Sequence, residues 1–404
     1  VNGERLWASL MEMAEIGATS AGGCNRQALT EEDRAGRALF SRWAAEAGCD
    51  IRVDAIGNLF ATRPGSDPEA SPILIGSHLD TQPTGGKFDG VYGVLAGLEV
   101  VRSLNDLSLL TRSPLIVASW TNEEGARFPP AMMGSGVWAG ALDLETSYRT
   151  SDKSGQTVKE ALSDIDALGA PAAAAFPLKG ALELHIEQGP ILEETGHTIG
   201  IVTGVQGSRW YDLVLTGKPC HAGPTPMEGR QDPVQVLPAL LPRIFELAGN
   251  HAPWGRATVG DLLTEPGSRN PVPERIRLSV DIRHPDQALL DAMHAGLKQL
   301  SIELNDGQVS VALEEIWHSP AIRFDDGVLD AIREAADMTG LPAMEMVSGA
   351  GHDAVYVSRV APTAMIFIPC QGGLSHNEAE YATPGDISAG CNVLLNAVLT
   401  LDAA

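Results

Sequence analysis

The pattern of hydrophobic and polar positions in the first part of the chain predicts a strand, then a helix, then a second strand. The run SPILIGSHLD at 71–80 predicts a buried strand whose polar residues lie at its C-terminal tip. The segment DGVYGVLAGLEVVRSL at 89–104 is apolar at helical length, and PLIVASW at 114–120 predicts the next strand. This order is a βαβ unit, which predicts a mainly parallel sheet with ligands bound beyond the carboxyl ends of its strands.

The pattern changes at about residue 207 and returns after about residue 317. Between these points the sequence predicts four strands and two helices, an arrangement typical of a compact α+β domain. A helix at 326–338 and a closing helix at 385–400 then resume the earlier pattern. We therefore predict an α/β fold in which a discontinuous, mainly parallel-sheet domain (1–206 and 318–404) carries an inserted smaller α+β domain (207–317).

Composition narrows the classes of function. The formal charge of −24 predicts repulsion from nucleic acid and from anionic membranes, so neither is an expected partner. The five cysteines are scattered without a CxxC pair, which favours reduced thiols in a cytoplasm over a disulfide framework or a thiolate zinc site. The first residues lack the apolar run of a signal peptide, and apolar stretches elsewhere are too short for a membrane span. We expect a cytoplasmic protein.

Candidate metal ligands lie along the chain in an order that suits a two-metal hydrolase. They are His78, Asp89, Glu124, His185 and His376. Imidazole and carboxylate together suit zinc or a related divalent ion, and two such ions about 3.5–4 Å apart can polarise a carbonyl and activate water. Glu123 stands beside Glu124, so one acid can bind metal while the other acts as a base. Asp80 shares a strand face with His78 and could orient its ring.

The local sequences around these residues resemble those of a known family. They are GSHLDT at 76–81, KFDGVYG at 87–93, TNEEGARF at 121–128, ELHIEQGP at 183–190 and LSHNE at 374–378. Over nearly its whole length the chain resembles the hydantoinase/carbamoylase group of di-zinc amidohydrolases, within the clan of di-zinc aminoacylases and carboxypeptidases. This group contains N-carbamoyl-L-amino acid amidohydrolases, β-ureidopropionases and allantoate amidohydrolases.

The resemblance implies a metal arrangement. His78, Asp89 and His185 would hold one ion, and Asp89, Glu124 and His376 the other, with Asp89 bridging. It further implies that Glu123 is the general base and that the peptide bond between Asp89 and Gly90 is cis. Two divalent ions per subunit are expected, with zinc favoured and manganese, cobalt or nickel acceptable to the same ligands.

The resemblance also implies residues that read the substrate. Arg283 and Asn270 would grip its carboxylate, His221 would stabilise the developing oxyanion, Gln188 would contact the ureido group, and Gly351 would allow close backbone approach. Arg283 could instead pair with a neighbouring aspartate, and Asn270 could simply form a turn. Because several of these residues fall in the insertion, we expect that domain to act as a lid. The resemblance implies a homodimer joined through it.

The first functional interpretation is hydrolysis of the ureido amide of an N-carbamoyl amino acid to the amino acid, carbon dioxide and ammonia. N-carbamoyl-L-amino acids, N-carbamoyl-β-alanine and allantoate stay open as substrates, because they differ only in features set by pocket shape. Hydrolysis of N-acyl amino acids or peptides is the second interpretation, but it predicts an acid at position 185. A metal-free relative without catalysis is the third. We hypothesise that His185, by carrying no negative charge, leaves the metals more electrophilic.

Overall fold

The computed structural model describes residues 1–305 and 307–404, and it divides the chain into two compact units. The first comprises Val1–Thr203 with Arg323–Ala404, and the second comprises Gly204–Ile322. The sequence predicts an insertion at 207–317. The predicted fold class, α/β with a mainly parallel sheet, is confirmed. The role of the second unit as a lid and dimerisation domain stays a prediction.

The helices of the described residues follow one another along the whole chain. In order they are α1 (Gly3–Ala14), α2 (Glu31–Glu46), α3 (Val91–Asp106), α4 (Met133–Trp138), α5 (Leu144–Arg149), α6 (Val158–Asp164), α7 (Ile191–Thr195), α8 (Leu237–Gly249), α9 (Gln287–Glu303), α10 (Asp326–Thr339), α11 (Ala354–Val357) and α12 (Pro384–Ala403). Short 3₁₀ turns occur at Pro233–Val236 and Gln371–Gly373. Several starts carry side-chain caps, as at Thr30, which accepts from the amide of Asp33, and at Thr383, which is followed by a proline at the first helical position.

The strands of the described residues lie between these helices. In order they are β1 (Asp50–Val53), β2 (Leu59–Arg63), β3 (Ile73–His78), β4 (Leu115–Trp120), β5 (Gly180–Ile186), β6 (Ile199–Val205), β7 (Gly207–Thr216), β8 (Cys220–His221), β9 (Arg256–Glu265), β10 (Pro271–Val272), β11 (Arg275–His284), β12 (Ser310–Ser319), β13 (Ile322–Arg323), β14 (Ala343–Ser348) and β15 (Thr363–Ile368).

The large sheet places the candidate chemistry at one edge. Its order among the described residues is β1-β2-β4-β3-β5-β15-β6-β13, with β14 paired to β6. The central strands β4, β3, β5 and β15 are mutually parallel, whereas β2 joins β4 and β6 joins β15 in antiparallel fashion. Every residue of the four central strands is buried. Their carboxyl ends therefore meet at one edge, where ligands of such sheets bind.

The second unit is a sheet with helices on one face. The order of its four strands is β12-β7-β11-β9, all antiparallel in the described pairings. Alternate residues such as Leu213 on β7 and Leu278 on β11 pack with Ile244 of α8 and Leu297 of α9 in one core. A separate ribbon pairs β8 with β10.

Two local expectations differ from the structure. The sequence predicts a helix near 229–248, but α8 begins only at Leu237 because Pro233 and Pro238 favour a 3₁₀ turn and a first helical turn over a longer helix. Strands β6 and β14 are not predicted, although both join the large sheet. Their sequences follow turns and lack the long apolar runs that mark the central strands.

Candidate metal centre and active site

The ends of the parallel strands bring the predicted ligands together. His78 is the last residue of the fully buried β3, and His185 is the penultimate residue of β5. Glu123 and Glu124 follow β4 in the next loop, and His376 lies in the loop that follows β15. Asp89 immediately precedes Gly90, the N-cap of α3. These positions lie at the same edge of one sheet because the strands that deliver them are parallel.

Asp89 lies between the histidines. Its Oδ1 is 3.1 Å from Nε2 of His185 and 3.6 Å from Nε2 of His78. Its Oδ2 is 3.5 Å from Nε2 of His376. One carboxylate oxygen therefore faces two histidines and the other faces the third, as a bridging ligand requires.

Glu124 completes the second group. Its Oε2 is 3.2 Å from Nε2 of His376. Gln82 donates to the same carboxylate from its backbone amide (3.2 Å) and from Nε2 (2.8 Å), which fixes its orientation. In each set, His78–Asp89–His185 and Asp89–Glu124–His376, one donor atom per residue lies within 4.8 Å of the others. Two compact sets of imidazole and carboxylate donors that share one acid fit a pair of divalent ions.

Hydrogen bonds fix which nitrogen each buried histidine presents. Nδ1 of His185 donates to the carbonyl of Ile186 at 2.9 Å, and Nδ1 of His78 donates to the carbonyl of Asp80 at 2.9 Å. In the neutral form of each ring the proton is therefore on Nδ1, which leaves the lone pair on Nε2, the nitrogen that faces Asp89. This is the tautomer that binds a metal through Nε2.

Asp80 acts differently from the sequence prediction. Its carboxylate is 3.9 Å from Nδ1 of His78, which is too long for a hydrogen bond, and only its backbone carbonyl orients that ring. The carboxylate instead accepts from the amides of Glu123 (3.3 Å) and Glu124 (3.2 Å). Asp80 therefore holds the turn that presents these two glutamates.

Glu123 is a buried acid beside the metal-ligand candidates. Its Oε2 is 3.5 Å from Nε2 of His78, and the residue is 8% exposed. Burial raises the pKa of Glu123 well above its ordinary value, and the positive charge of His78 offsets this only in part. A carboxyl group with a raised pKa can hold and release a proton near neutral pH, which suits a general base that later acts as an acid.

Opposite charges lower the pKa of Asp89 and raise the pKa of His78, in each case against the effect of burial. Burial raises the pKa of Asp89, but the adjacent imidazoles of His185 and His78 outweigh it and hold the pKa well below the ordinary value. Burial lowers the pKa of His78, but the negative charge of Glu123 and the adjacent Asp89 carboxylate outweigh it and raise the pKa well above the ordinary value. Asp89 and His78 therefore stabilise each other's charged forms.

The predicted cis bond between Asp89 and Gly90 is wrong in this structure. The cis peptides of the described residues precede Pro130, Pro253 and Pro266. The Gly90 amide donates to Nε2 of His185 at 3.0 Å, so that both buried groups are paired. This counts against one part of the bridge assignment, whereas the placement of the Asp89 oxygens supports it. Gly90 has a φ of +67°, and a Cβ there would lie 2.3 Å from the His78 ring.

Residues in left-handed conformations occur in the loops around this cluster. Asn122, Gln188 and His376 have φ values of 55°, 59° and 52°, which few residues other than glycine adopt. Gln188 donates from Nε2 to Oδ2 of Asp89 at 2.7 Å, while its buried Oε1 has no partner among the described residues. Strained backbone and an unsatisfied acceptor in one place are typical of functional sites. Gly351 lies in the loop before α11, where a Cβ would approach the Met132 side chain at 3.2 Å.

In the second unit the structure brings His221 close to Asn270. His221 on β8 pairs with Pro271 on β10, and the amide of Ala222 donates to the carbonyl of Asn270 at 2.8 Å. Both side chains are exposed. Arg283 lies on β11, and its guanidinium pairs with Asp281, with Nη2 2.7 Å from Oδ2. The pairing with a neighbouring aspartate that the sequence left open for Arg283 is therefore present.

Sequence reasoning missed several residues that organise the site. Gln82 orients Glu124, and Ser375 donates to Oδ2 of Asp89 at 2.7 Å. Glu380 accepts from the backbone amide of Asp89 at 3.1 Å. The one signal in the sequence is their position within or beside the GSHLDT and LSHNE segments.

A further acid–histidine group lies behind the site. His352 and Glu183 have donor atoms near those of His185. However, Glu183 already accepts from the Ser77 hydroxyl and from the amide of Ala354, both at 2.9 Å. This group therefore serves to anchor the start of α11 to β3 and β5.

Among the described residues, no helix combines the length and the apolar character that a membrane span requires.

Comparison with known proteins places the whole chain in one family. The model of "Peptidase family M20/M25/M40" matches residues 74–400. The N-carbamoyl-L-amino-acid amidohydrolase of Rhizobium meliloti is 48% identical over 99% of this chain and 96% of its own length. The allantoate amidohydrolase of Bacillus subtilis (strain 168) is 33% identical over 96% of this chain and 95% of its own.

A solved structure agrees with the sequence relatives. The amidase of the hydantoinase/carbamoylase family from Burkholderia multivorans superimposes with a TM-score of 0.96 at 50% identity, covering 100% of this chain and 98% of that one. The family predicted from the sequence motifs is thus confirmed. This chain belongs to peptidase family M20/M25/M40 and, within it, to the hydantoinase/carbamoylase amidohydrolases.

Proposed function

We propose that this protein hydrolyses the ureido amide of an N-carbamoyl amino acid, releasing the free amino acid, carbon dioxide and ammonia. The observation that carries the proposal is the Asp89 carboxylate, with one oxygen facing His78 and His185 and the other facing His376. The buried acid Glu123 stands next to this arrangement. The sequence identity of 48% to an N-carbamoyl-L-amino-acid amidohydrolase supports N-carbamoyl amino acids as the substrate class.

The donor set supports two divalent ions per subunit. His78, Asp89 and His185 would hold one, and Asp89, Glu124 and His376 the other. Bound there, such ions would polarise the substrate carbonyl and lower the pKa of water. Zinc is our first choice for these donors, and manganese, cobalt and nickel suit the same imidazole and carboxylate groups.

Glu123 has the properties of the proton carrier. Its raised pKa and its place beside His78 let it accept a proton from the attacking water and deliver it to the leaving nitrogen. Asp80 holds Glu123 through the backbone amide and so determines where this proton is taken and released.

The unpaired amide oxygen of Gln188 supports a ureido substrate. Within the described part of the chain it is a buried acceptor without a donor, and a ureido group offers the N–H donors that it lacks. At the other end of the substrate, a carboxylate suits the planar guanidinium of Arg283, with Asn270 as a further polar contact. His221 would stabilise the developing oxyanion, and Gly351 would allow close backbone approach. Asp281 would then share Arg283 with the substrate.

A substrate panel tests this proposal. The protein loaded with zinc, manganese, cobalt or nickel should release ammonia from N-carbamoyl-L-amino acids faster than from N-carbamoyl-β-alanine, allantoate or N-acetyl amino acids. Replacing Arg283 with Lys should raise KM by about 10-fold or more, because one bidentate charge-assisted contact is lost. Preference for allantoate would select the alternative function. Cleavage of N-acetyl amino acids without any ureido hydrolysis would contradict the proposal.

We also propose a homodimer formed through the second unit. The outer face of its sheet exposes Trp210 and Trp317, whose ring centroids are 4.7 Å apart, and the edge strand β9 exposes Leu262 and Leu263. Exposed edge strands and aromatic patches favour pairing with another chain. Light scattering should therefore give twice the chain mass of 42.6 kDa. A stable, fully active monomer would refute the dimer.

A cytoplasmic location is part of the proposal. All five cysteines are free, and all except Cys220 are buried. Reduced, unpaired thiols of this kind are typical of proteins in a reducing compartment.

A further inference from the structure

Glu380 is a buried acid that the proposed reaction does not use directly. It is 4% exposed and lies four residues after His376. Its Oε1 accepts from the backbone amides of Phe88 at 2.9 Å and Asp89 at 3.1 Å. Its Oε2 is 3.0 Å from the hydroxyl oxygen of Ser375. One side chain thus joins the loop that carries Asp89 to the loop that carries His376.

Ser375 extends this connection to the carboxylate of Asp89. Its hydroxyl donates to Oδ2 of Asp89 at 2.7 Å, and Nε2 of Gln188 donates to the same oxygen at 2.7 Å. Oδ2 is the oxygen that faces His376, whereas Oδ1 faces His78 and His185. Asp89 is therefore held at both ends, through its backbone by Glu380 and through Oδ2 by Ser375.

The fit around Glu380 is close. A Cβ on Gly86 would lie 2.1 Å from its carboxyl group, so only glycine leaves room there. The next residue, Tyr381, packs edge-on against Phe88 with ring centroids 6.1 Å apart. We therefore expect that a side chain shorter by one methylene would not reach the two amides and Ser375 at the same time.

We propose that Glu380 is a positioning residue that, with Ser375, orients the Asp89 carboxylate so that its two oxygens serve two different ions. A bridging carboxylate must keep its plane along the line between the ions, and partners behind a ligand commonly set such orientation. Glu380 belongs to neither proposed ligand group and acts through Asp89 and Ser375. This role rests on the proposed function, which requires the two ions, but it is tested by measuring metal binding.

Three variants separate positioning from simple stability. Glu380→Asp keeps the charge but shortens the reach, and it should weaken zinc binding by about 10–100-fold in competition with a chromophoric chelator. Glu380→Gln keeps an oxygen for both amides and offers an NH₂ to Ser375, so it should restore most of that affinity. Glu99→Gln is the matched control, since Glu99 is a buried acid that binds Arg5 and Ser103 away from the site.

The control should lower the melting temperature and leave zinc affinity and kcat unchanged. Glu380→Asp should lower kcat together with zinc affinity, and excess zinc should restore kcat only partly, because a tilted bridge stays tilted when both sites are filled. If Glu380→Asp instead behaves like Glu99→Gln, losing thermal stability alone, the positioning role is wrong. A wild-type protein that binds two zinc ions but cleaves no ureido substrate would contradict the proposed function, while the zinc titrations would still decide the role of Glu380.

Discussion

Replacing Glu123 with Gln should lower kcat for ureido hydrolysis by about 10²–10⁴-fold, the range that a positioned acid–base group contributes. The amide has nearly the shape of the acid and stays beside His78, but it cannot accept a proton from water. Because Glu123 is not among the predicted ligands, the variant should still bind two ions per chain. Steady-state kinetics and metal analysis of the same preparation check both expectations.

Two comparisons sharpen this test. Glu160→Gln, which alters an exposed acid in the capping box of α6, should keep wild-type kcat. Glu123→Asp should retain part of the activity, since it keeps a carboxyl group at a longer distance from the substrate. A Glu123→Gln protein with wild-type kcat would remove Glu123 from the mechanism.

Replacing Asp89 with Ala should remove both ions, because this residue belongs to both ligand groups. We expect activity to fall by at least about 10³-fold, which corresponds to the several kcal/mol that metal ions contribute to stabilising charge in the transition state. Elemental analysis after dialysis should find well under one ion per chain. Circular dichroism should confirm that the fold is kept.

His376→Ala is the informative partner of this variant. His376 belongs to only one of the two ligand groups that contain Asp89. Its loss should therefore leave one ion tightly bound. Equal metal loss in the two variants, or two ions retained by Asp89→Ala, would contradict a shared carboxylate.

Much of the fold and the ligand set follows from local sequence. The run that ends at His78 and the run that ends at Trp120 are continuous apolar strands, and the helix between them requires that they be parallel. The candidate ligands beyond them, among them Glu124 and His185, stand in motifs at strand ends, so their convergence follows from topology. The α+β character of the second unit is also predictable, because apolar residues alternate along its central strands β7 and β11, where they are the buried positions.

What the sequence does not predict depends on contacts between distant segments. Glu380 binds the amide of Asp89 across 291 positions of the chain, and no local pattern marks an acid for such a role. The partner of the Gly90 amide, Nε2 of His185, is likewise supplied only by folding. The sequence predicts the Asp80 carboxylate at His78, but in the structure this carboxylate accepts from the two backbone amides of the Glu123–Glu124 turn.

The role of Arg283 illustrates the limit of motif reasoning. Position and residue type both suit a carboxylate ligand, yet its guanidinium already forms an ion pair with Asp281. Arg283 can bind the substrate carboxylate only if its guanidinium is shared between Asp281 and the substrate. The KM of the Arg283→Lys variant in the substrate panel measures this.

Asp89 is the residue on which the proposed function most depends, because it must bridge two metal ions. Crystals of the zinc-loaded protein, measured at the zinc absorption edge, test this bridge most directly. We expect two anomalous peaks about 3.5–4 Å apart, one on each side of the Asp89 carboxylate. The rings of His78 and His185 should contact the first peak, and the ring of His376 should contact the second. A single peak, or two peaks that do not share Asp89, would contradict the bridge.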